Sequence, residues 1–166
     1  MLLFSGCLAG ISSYQFGSRT LFPNDIETVY VPVFESNSYR KGLAEELTEA
    51  VIKEIEKRTP YKVVGTPNAD TTLTGKIVSD NKHLLFESLT GDPRESELNL
   101  KVEVTWANSR GDAIRKIPAV PVPNAAVSVS AANNLVPEVG QSVATSQQTA
   151  IQRLAQQIVN LMEAPW

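Results

Sequence analysis

The chain has 166 residues, 42% of them apolar and 20% charged, with a net charge of −3. That length makes about one domain around one core, the apolar fraction excludes the regime of disordered chains, and the acidic balance leaves no basic field to gather nucleic acid. A single cysteine, Cys7, and a single histidine, His83, exclude an internal disulfide and a cysteine-rich metal site, and no run approaches the ~18 apolar residues of a spanning helix.

The N-terminal Met1-Leu2-Leu3-Phe4-Ser5-Gly6-Cys7 ends in small residues before the cysteine, and Ser5-Gly6-Cys7 resembles the end of a bacterial lipobox. In that reading Cys7 is the lipidation site and carries more than one acyl chain, which anchors stably where one chain holds only marginally. No Lys or Arg precedes the apolar stretch, which is shorter than a complete signal core, so the segment reads as a truncated signal. The alternative is an ordinary terminus with a chance cysteine. Gly and Ser, then Pro23-Asn24-Asp25, mark the residues up to 25 as a tether, and residues 26–166 as the single folded domain.

Val29, Val31 and Val33 alternate with Tyr30, Pro32 and Phe34, which predicts a strand over 27–34 with Pro32 at an edge or bulge. Ser36, Asn37 and Ser38 are N-cap residues, and Leu43, Leu47, Val51 and Ile55 recur every four positions, so an amphipathic helix is expected over about 39–58 and stops at Pro60. Glu49–Lys53 and Glu54–Arg58 stand in the favourable acid-first order on its exposed face. Short strands follow at 61–64 and 72–78, and a further one around Leu84, Leu85 and Phe86, with turns at Pro67-Asn68-Ala69-Asp70 and Gly91-Asp92-Pro93.

Leu98, Leu100, Val102, Val104 and Trp106 alternate strictly with polar residues, which describes a strand with one face on a core and the other in water. Asn108 to Asp112 reads as a hairpin turn into a short strand at 113–117, and Pro118–Pro137 as a loop of unusual length. A second amphipathic helix is expected at about 139–163, with Ile151, Leu154 and Ile158 on its apolar stripe. These elements make an α/β (α+β) two-layer sandwich, two helices on one face of a four- to five-stranded mixed sheet, in the order strand, helix, strands, helix.

Several segments resemble the lipopolysaccharide-assembly lipoprotein LptE family, most closely its divergent, planctomycete-type members. Tyr14-Gln15-Phe16-Gly17 is similar to the aromatic-x-aromatic segment after the acylated cysteine, and Ile26 to Glu35 resembles the first strand. Leu43 to Pro60 resembles the first helix, with Glu46-Leu47-Thr48 and Arg58-Thr59-Pro60 in similar places. Ala69-Asp70-Thr71-Thr72-Leu73-Thr74-Gly75 resembles the family's Ala-Asp, then Leu-x-Gly, strand. The likeness covers about 14–110. It implies a lipid-anchored protein on the periplasmic side of the outer membrane that binds lipopolysaccharide and helps assemble the LptD-type β-barrel, with no enzyme activity and no cofactor.

Arg40 and Lys41 fall in the expected first turn of the first helix, where cations oppose the dipole and free N–H groups favour anions, so they are candidates for a lipid phosphate. Lys62, Lys76 and Lys101 project from the polar side of their strands and complete the candidate lipopolysaccharide-binding set. Solvated side chains are the plainer reading of all five. Asp25, Asp70, Asp80, Asp92 and Asp112 stand where turns recruit Asp, and Trp106 belongs to the core. No nucleophile elbow, phosphate loop or metal spacing is present, so a small carboxylate hydrolase is the weakest alternative, behind a periplasmic adaptor for another envelope protein or glycan.

Overall fold

The computed structural model describes residues 21–87, 93–114, 127–135 and 142–163. Its elements are β1 (Thr28–Tyr30), β2 (Glu35–Ser36), α1 (Leu43–Arg58), β3 (Lys62–Val64), β4 (Thr71–Glu87), β5 (Pro93–Asn108), β6 (Val127–Leu135) and α2 (Val143–Asn160). The strands form one six-stranded mixed sheet in the order β3-β1-β4-β5-β6, with β2 also on β4. β1 and β2 run parallel to β4, whereas β4, β5 and β6 are successively antiparallel.

The first strand is not continuous. Tyr30 pairs with Thr72 and Glu35 with Lys76, so five steps on one side cover four on the other, and the surplus falls at Val31–Phe34, around Pro32. A proline cannot donate to the ladder, which is why pairing lapses there. The Phe34 N–H donates instead to the Thr48 hydroxyl at 3.0 Å, and that hydroxyl donates to the Ala44 carbonyl. The break is thereby sewn onto α1.

Both helices lie on one face. Leu47, Val51, Leu154 and Ile158 meet Leu100 and Val102 across the interface, all of them at most 2% exposed. Phe22, in the segment expected to be tether, is buried too and packs edge-on against Tyr61, whose hydroxyl donates to the Pro23 carbonyl. Trp106 closes the core as expected.

α1 begins at Leu43, later than the Ser36–Ser38 caps suggested. Gly42 is its N-cap, in left-handed geometry with φ 86°, and no side chain caps it. The serine hydroxyls are used in the turn before it: Ser36 accepts from the Ser38 N–H and Ser38 from the Arg40 N–H. α2 is capped by Ser142, whose hydroxyl accepts from the Thr145 N–H at 3.1 Å.

The strands expected at 72–78 and 84–86 are one strand, β4, with 17 residues and an extended reach of roughly 55 Å. Its register against β5 slips between Ile77 and Ser79, between Leu84 and Phe86, and between Phe86 and Glu87. The first two each insert one residue into β4 and exchange its two faces. The loop expected over Pro118–Pro137 contains β6, which pairs with β5 from Val104 to Ser96. Val127, Val129 and Ala131 alternate with Ser128 and Ser130, a strand pattern muted by small side chains. The remaining expectations for 118–126, for 115–117, for Gly91-Asp92 and for Trp166 lie outside the described residues.

Candidate functional site

The turn before α1 is tied to the sheet through Asp80. Up to Ile77 the odd-numbered residues of β4 face the helices, and after the first bulge the even-numbered ones do, because Asp80 lies opposite the buried Leu100. Asp80 therefore points toward the helix layer from the middle of a strand, where a turn residue had been expected. Its carboxylate is only 4% exposed and accepts from Arg40 Nε at 3.1 Å and from the Ser38 hydroxyl at 2.9 Å, both at Oδ2. Oδ1 is buried with no hydrogen-bond partner among the described residues.

Arg40 reaches further. Its Nη1 donates to Gln147 Oε1 on α2 at 3.2 Å, and Gln147 in turn donates to Glu46 on α1. Arg40 thus joins the turn, β4 and both helices, and its guanidinium is committed to internal partners. Arg40 and Lys41 also precede α1 and its cap, so neither occupies the first helical turn. Lys41 is exposed and makes no ion pair among the described residues, and Tyr39 beside it stands fully in solvent.

The strand lysines lie elsewhere. Lys76 and Lys101 share the open face of the sheet, with Glu103 directly opposite Lys76 and two positions from Lys101, and Lys76 Nζ lies 3.8 Å from Glu35. Lys62 is opposite Thr28, six residues before the level of Lys76 on β4, about 20 Å along the strands. The five cations therefore form no single pocket. Arg40 and Lys41 are at the start of the helix layer, Lys76 and Lys101 on the opposite face, and Lys62 near the start of the sheet. Cys7 lies outside the described residues.

Two further surface features are not marked by any motif in the sequence. Leu84, Leu85 and Phe86 are 46%, 43% and 65% exposed at the far end of the β4–β5 hairpin. The second bulge places Leu84 on the helix side and Phe86 opposite Glu95 on the other, so this end is apolar on both faces. An exposed apolar cluster of this kind marks an interaction surface more often than a scattered single side chain does. The second is an open groove of about 850 Å³ between α1 and α2, lined by carboxylates, amides and lysines such as Glu46, Glu49, Gln148 and Lys53, with Ala50 and Ile151 among its apolar residues.

Asp70, expected in a turn, makes a denser contact. Its Oδ2 accepts from the Glu27 N–H, the Thr28 N–H and the Thr28 hydroxyl at 2.8–3.1 Å, and its own N–H donates to the Thr28 hydroxyl oxygen. The Thr28 hydroxyl, followed by these backbone N–H groups, holds the Asp70 carboxyl below its ordinary value of 3.8. Burial, with the Asp25 carboxylate adding to it, pushes the Tyr61 phenol far above its usual value. Both groups serve the fold. No described helix is long and apolar enough to cross a membrane.

Residues 26–163 match the model of a protein family described as lipopolysaccharide-assembly, LptE. Among solved structures, the chain is similar to an uncharacterized lipoprotein B from Nitrosomonas europaea, with TM-score 0.58 and 16% identity over 89% of this chain and 88% of that one. A minor lipoprotein from Acinetobacter baumannii gives TM-score 0.53 at 16% identity, over 84% and 99%. The rare lipoprotein B from Shewanella oneidensis gives 0.51 at 15%, over 82% and 93%. At such identities the likeness is one of fold. No curated protein matches the sequence.

Proposed function

Because this chain belongs to the lipopolysaccharide-assembly LptE family, we propose that it is a lipoprotein of the outer membrane, anchored on the periplasmic side through Cys7, that binds and helps assemble an LptD-type β-barrel. It acts by binding, without a catalytic step and without a cofactor. The family match across nearly the whole folded domain is the observation that carries this reading. The exposed Leu84–Phe86 end of the hairpin supports it, since an apolar surface free on both faces suits a partner that surrounds it.

Lipopolysaccharide binding in this account uses phosphate contacts at Lys41, beside the N-terminus of α1, whose Gly42 cap supplies no side-chain hydrogen bond, with Lys76 and Lys101 as a second cationic position on the open sheet face. Arg40 supports that surface by fixing the turn, and Lys62 contributes only long-range charge. Exposed contacts of this kind weaken with salt, because charges beyond about 8 Å are screened at physiological ionic strength. The test has two parts. Mass spectrometry of the native protein should find Cys7 acylated, and an unmodified Cys7 in the envelope fraction would remove the anchor. Lipopolysaccharide binding should be salt-sensitive and weakened by Lys41→Glu. Unchanged affinity in both Lys41→Glu and the Lys76→Glu, Lys101→Glu pair would remove the lipid contacts.

A further inference from the structure

The open edges of the sheet are protected unequally. β3 is only three residues long, and β4 beyond Ile77 carries two bulges, the inward Asp80 and Lys82, all of which discourage pairing with another chain. β6 has none of these. It runs nine residues as Val-Ser-Val-Ser-Ala-Ala-Asn-Asn-Leu, without a charge, proline or glycine, and pairs with β5 without a register shift. No described strand lies on its other side.

One hydrogen bond and one β-bridge fix which backbone groups face outward. The Ile114 N–H donates to the Trp106 carbonyl, and Ala113 bridges Ala107 on the edge of β5 away from β4. The even-numbered residues of β5 therefore turn their backbone groups toward β6, where they meet Val127, Val129 and Ala131. Ser128, Ser130 and Ala132 must then present N–H and C=O outward. Arg153 agrees with this polarity: its Nη1 reaches from α2 to the Ala132 carbonyl at 3.2 Å and to Asn133 Oδ1 at 3.2 Å. Arg153 is the one charged residue of the 18-residue α2.

We propose that the outer edge of β6 pairs antiparallel with β6 of a second copy of this chain, and that Arg153 restrains the pairing by occupying the Ala132 carbonyl. A two-fold interface must be self-complementary. Centred on Ser130, antiparallel pairing sets Ser130 against itself and Ser128 against Ala132. These side chains are small and exposed, and the strand has no charge to meet its own image. The backbone donors and acceptors of Ser128 and Ser130 on that edge, which have no partner among the described residues, find partners in the second strand, while Arg153 must release Ala132 in each copy. This pairing is independent of the barrel partner proposed above.

Sedimentation of the full chain with Cys7→Ser tests the idea. A reversible dimer is expected, tightened roughly tenfold by Arg153→Ala because two competing hydrogen bonds are removed. Ser130→Lys should return either form to monomer, since like charges would stand directly opposite. With Cys7→Ser and Ser130→Cys together, mild oxidation should give a disulfide-linked dimer, a readout that stands even if Ser130→Lys fails to fold. Monomers in both the parent and Arg153→Ala at the highest soluble concentration, with no disulfide-linked dimer, would overturn the proposal. So would a dimer that folded Ser130→Lys leaves intact.

Discussion

The ring of Phe34 occupies the place where a side chain on Gly75 would stand: a Cβ there would lie 2.6 Å from two of its ring carbons. Phe34 is 3% exposed and belongs to the lapse between β1 and β2, so the glycine lets the broken strand fold its aromatic down onto β4. Gly75→Ala should destabilise by about 1–3 kcal/mol, as overpacking does. Phe34→Ala should cost about 3–5 kcal/mol through its cavity. Urea unfolding of the double variant should give less than the sum, because the alanine methyl then enters space the ring has left. Strict additivity would mean that the two residues are not coupled in this way.

The clasp between Asp70 and Thr28 predicts a pH dependence. The folded carboxyl is held below its ordinary value of 3.8, so its stabilisation is present above that value and disappears as pH falls through the lower folded one. Asp70→Asn should lower the urea midpoint at neutral pH, and the gap from the parent should close in strong acid. A gap that is constant across that range would show that the carboxylate charge contributes nothing.

Much of this arrangement was legible in the residues. The four-residue rhythm of Leu43, Leu47, Val51 and Ile55 and the strict alternation from Leu98 to Trp106 mark the core because each repeats against one uninterrupted face. The bulges were harder to see. In β4 the helix-facing phase changes from odd, at Leu73 and Ile77, to even, at Leu84, and that change signals a slipped register only once the two segments are known to be one strand. β6 was hidden because Ser, Ala and Asn give little contrast between faces. The start of α1 is not legible from its serines, because Ser36 and Ser38 are as well suited to closing a turn as to capping a helix. The placing of Lys76 and Lys101 on the open face of the sheet follows from strand alternation. The engagement of Arg40 by Asp80 does not, since it depends on the bulge.

Arg40 and Asp80 should behave as a structural pair. Arg40→Ala leaves a nearly buried carboxylate without its cation and should cost about 2–4 kcal/mol, whereas exposed Lys41→Ala should stay within about 0.5 kcal/mol. Asp80→Asn in the Arg40→Ala background should recover part of the loss, because an amide is cheaper to bury than a charge. Thermal unfolding compares all four proteins. Equal, small effects at Arg40 and Lys41 would show that the Asp80 contact carries no stability.

The barrel assembly is tested most directly by purifying the tagged full chain from detergent-solubilised outer membranes and identifying what accompanies it. The account predicts a large LptD-type β-barrel in near-equal amount. Leu84→Asp with Phe86→Asp should lose that barrel while unfolding within about 0.5 kcal/mol of the parent, since both side chains are exposed. Recovery of the folded chain without any barrel, or with a different envelope protein in its place, would contradict the account.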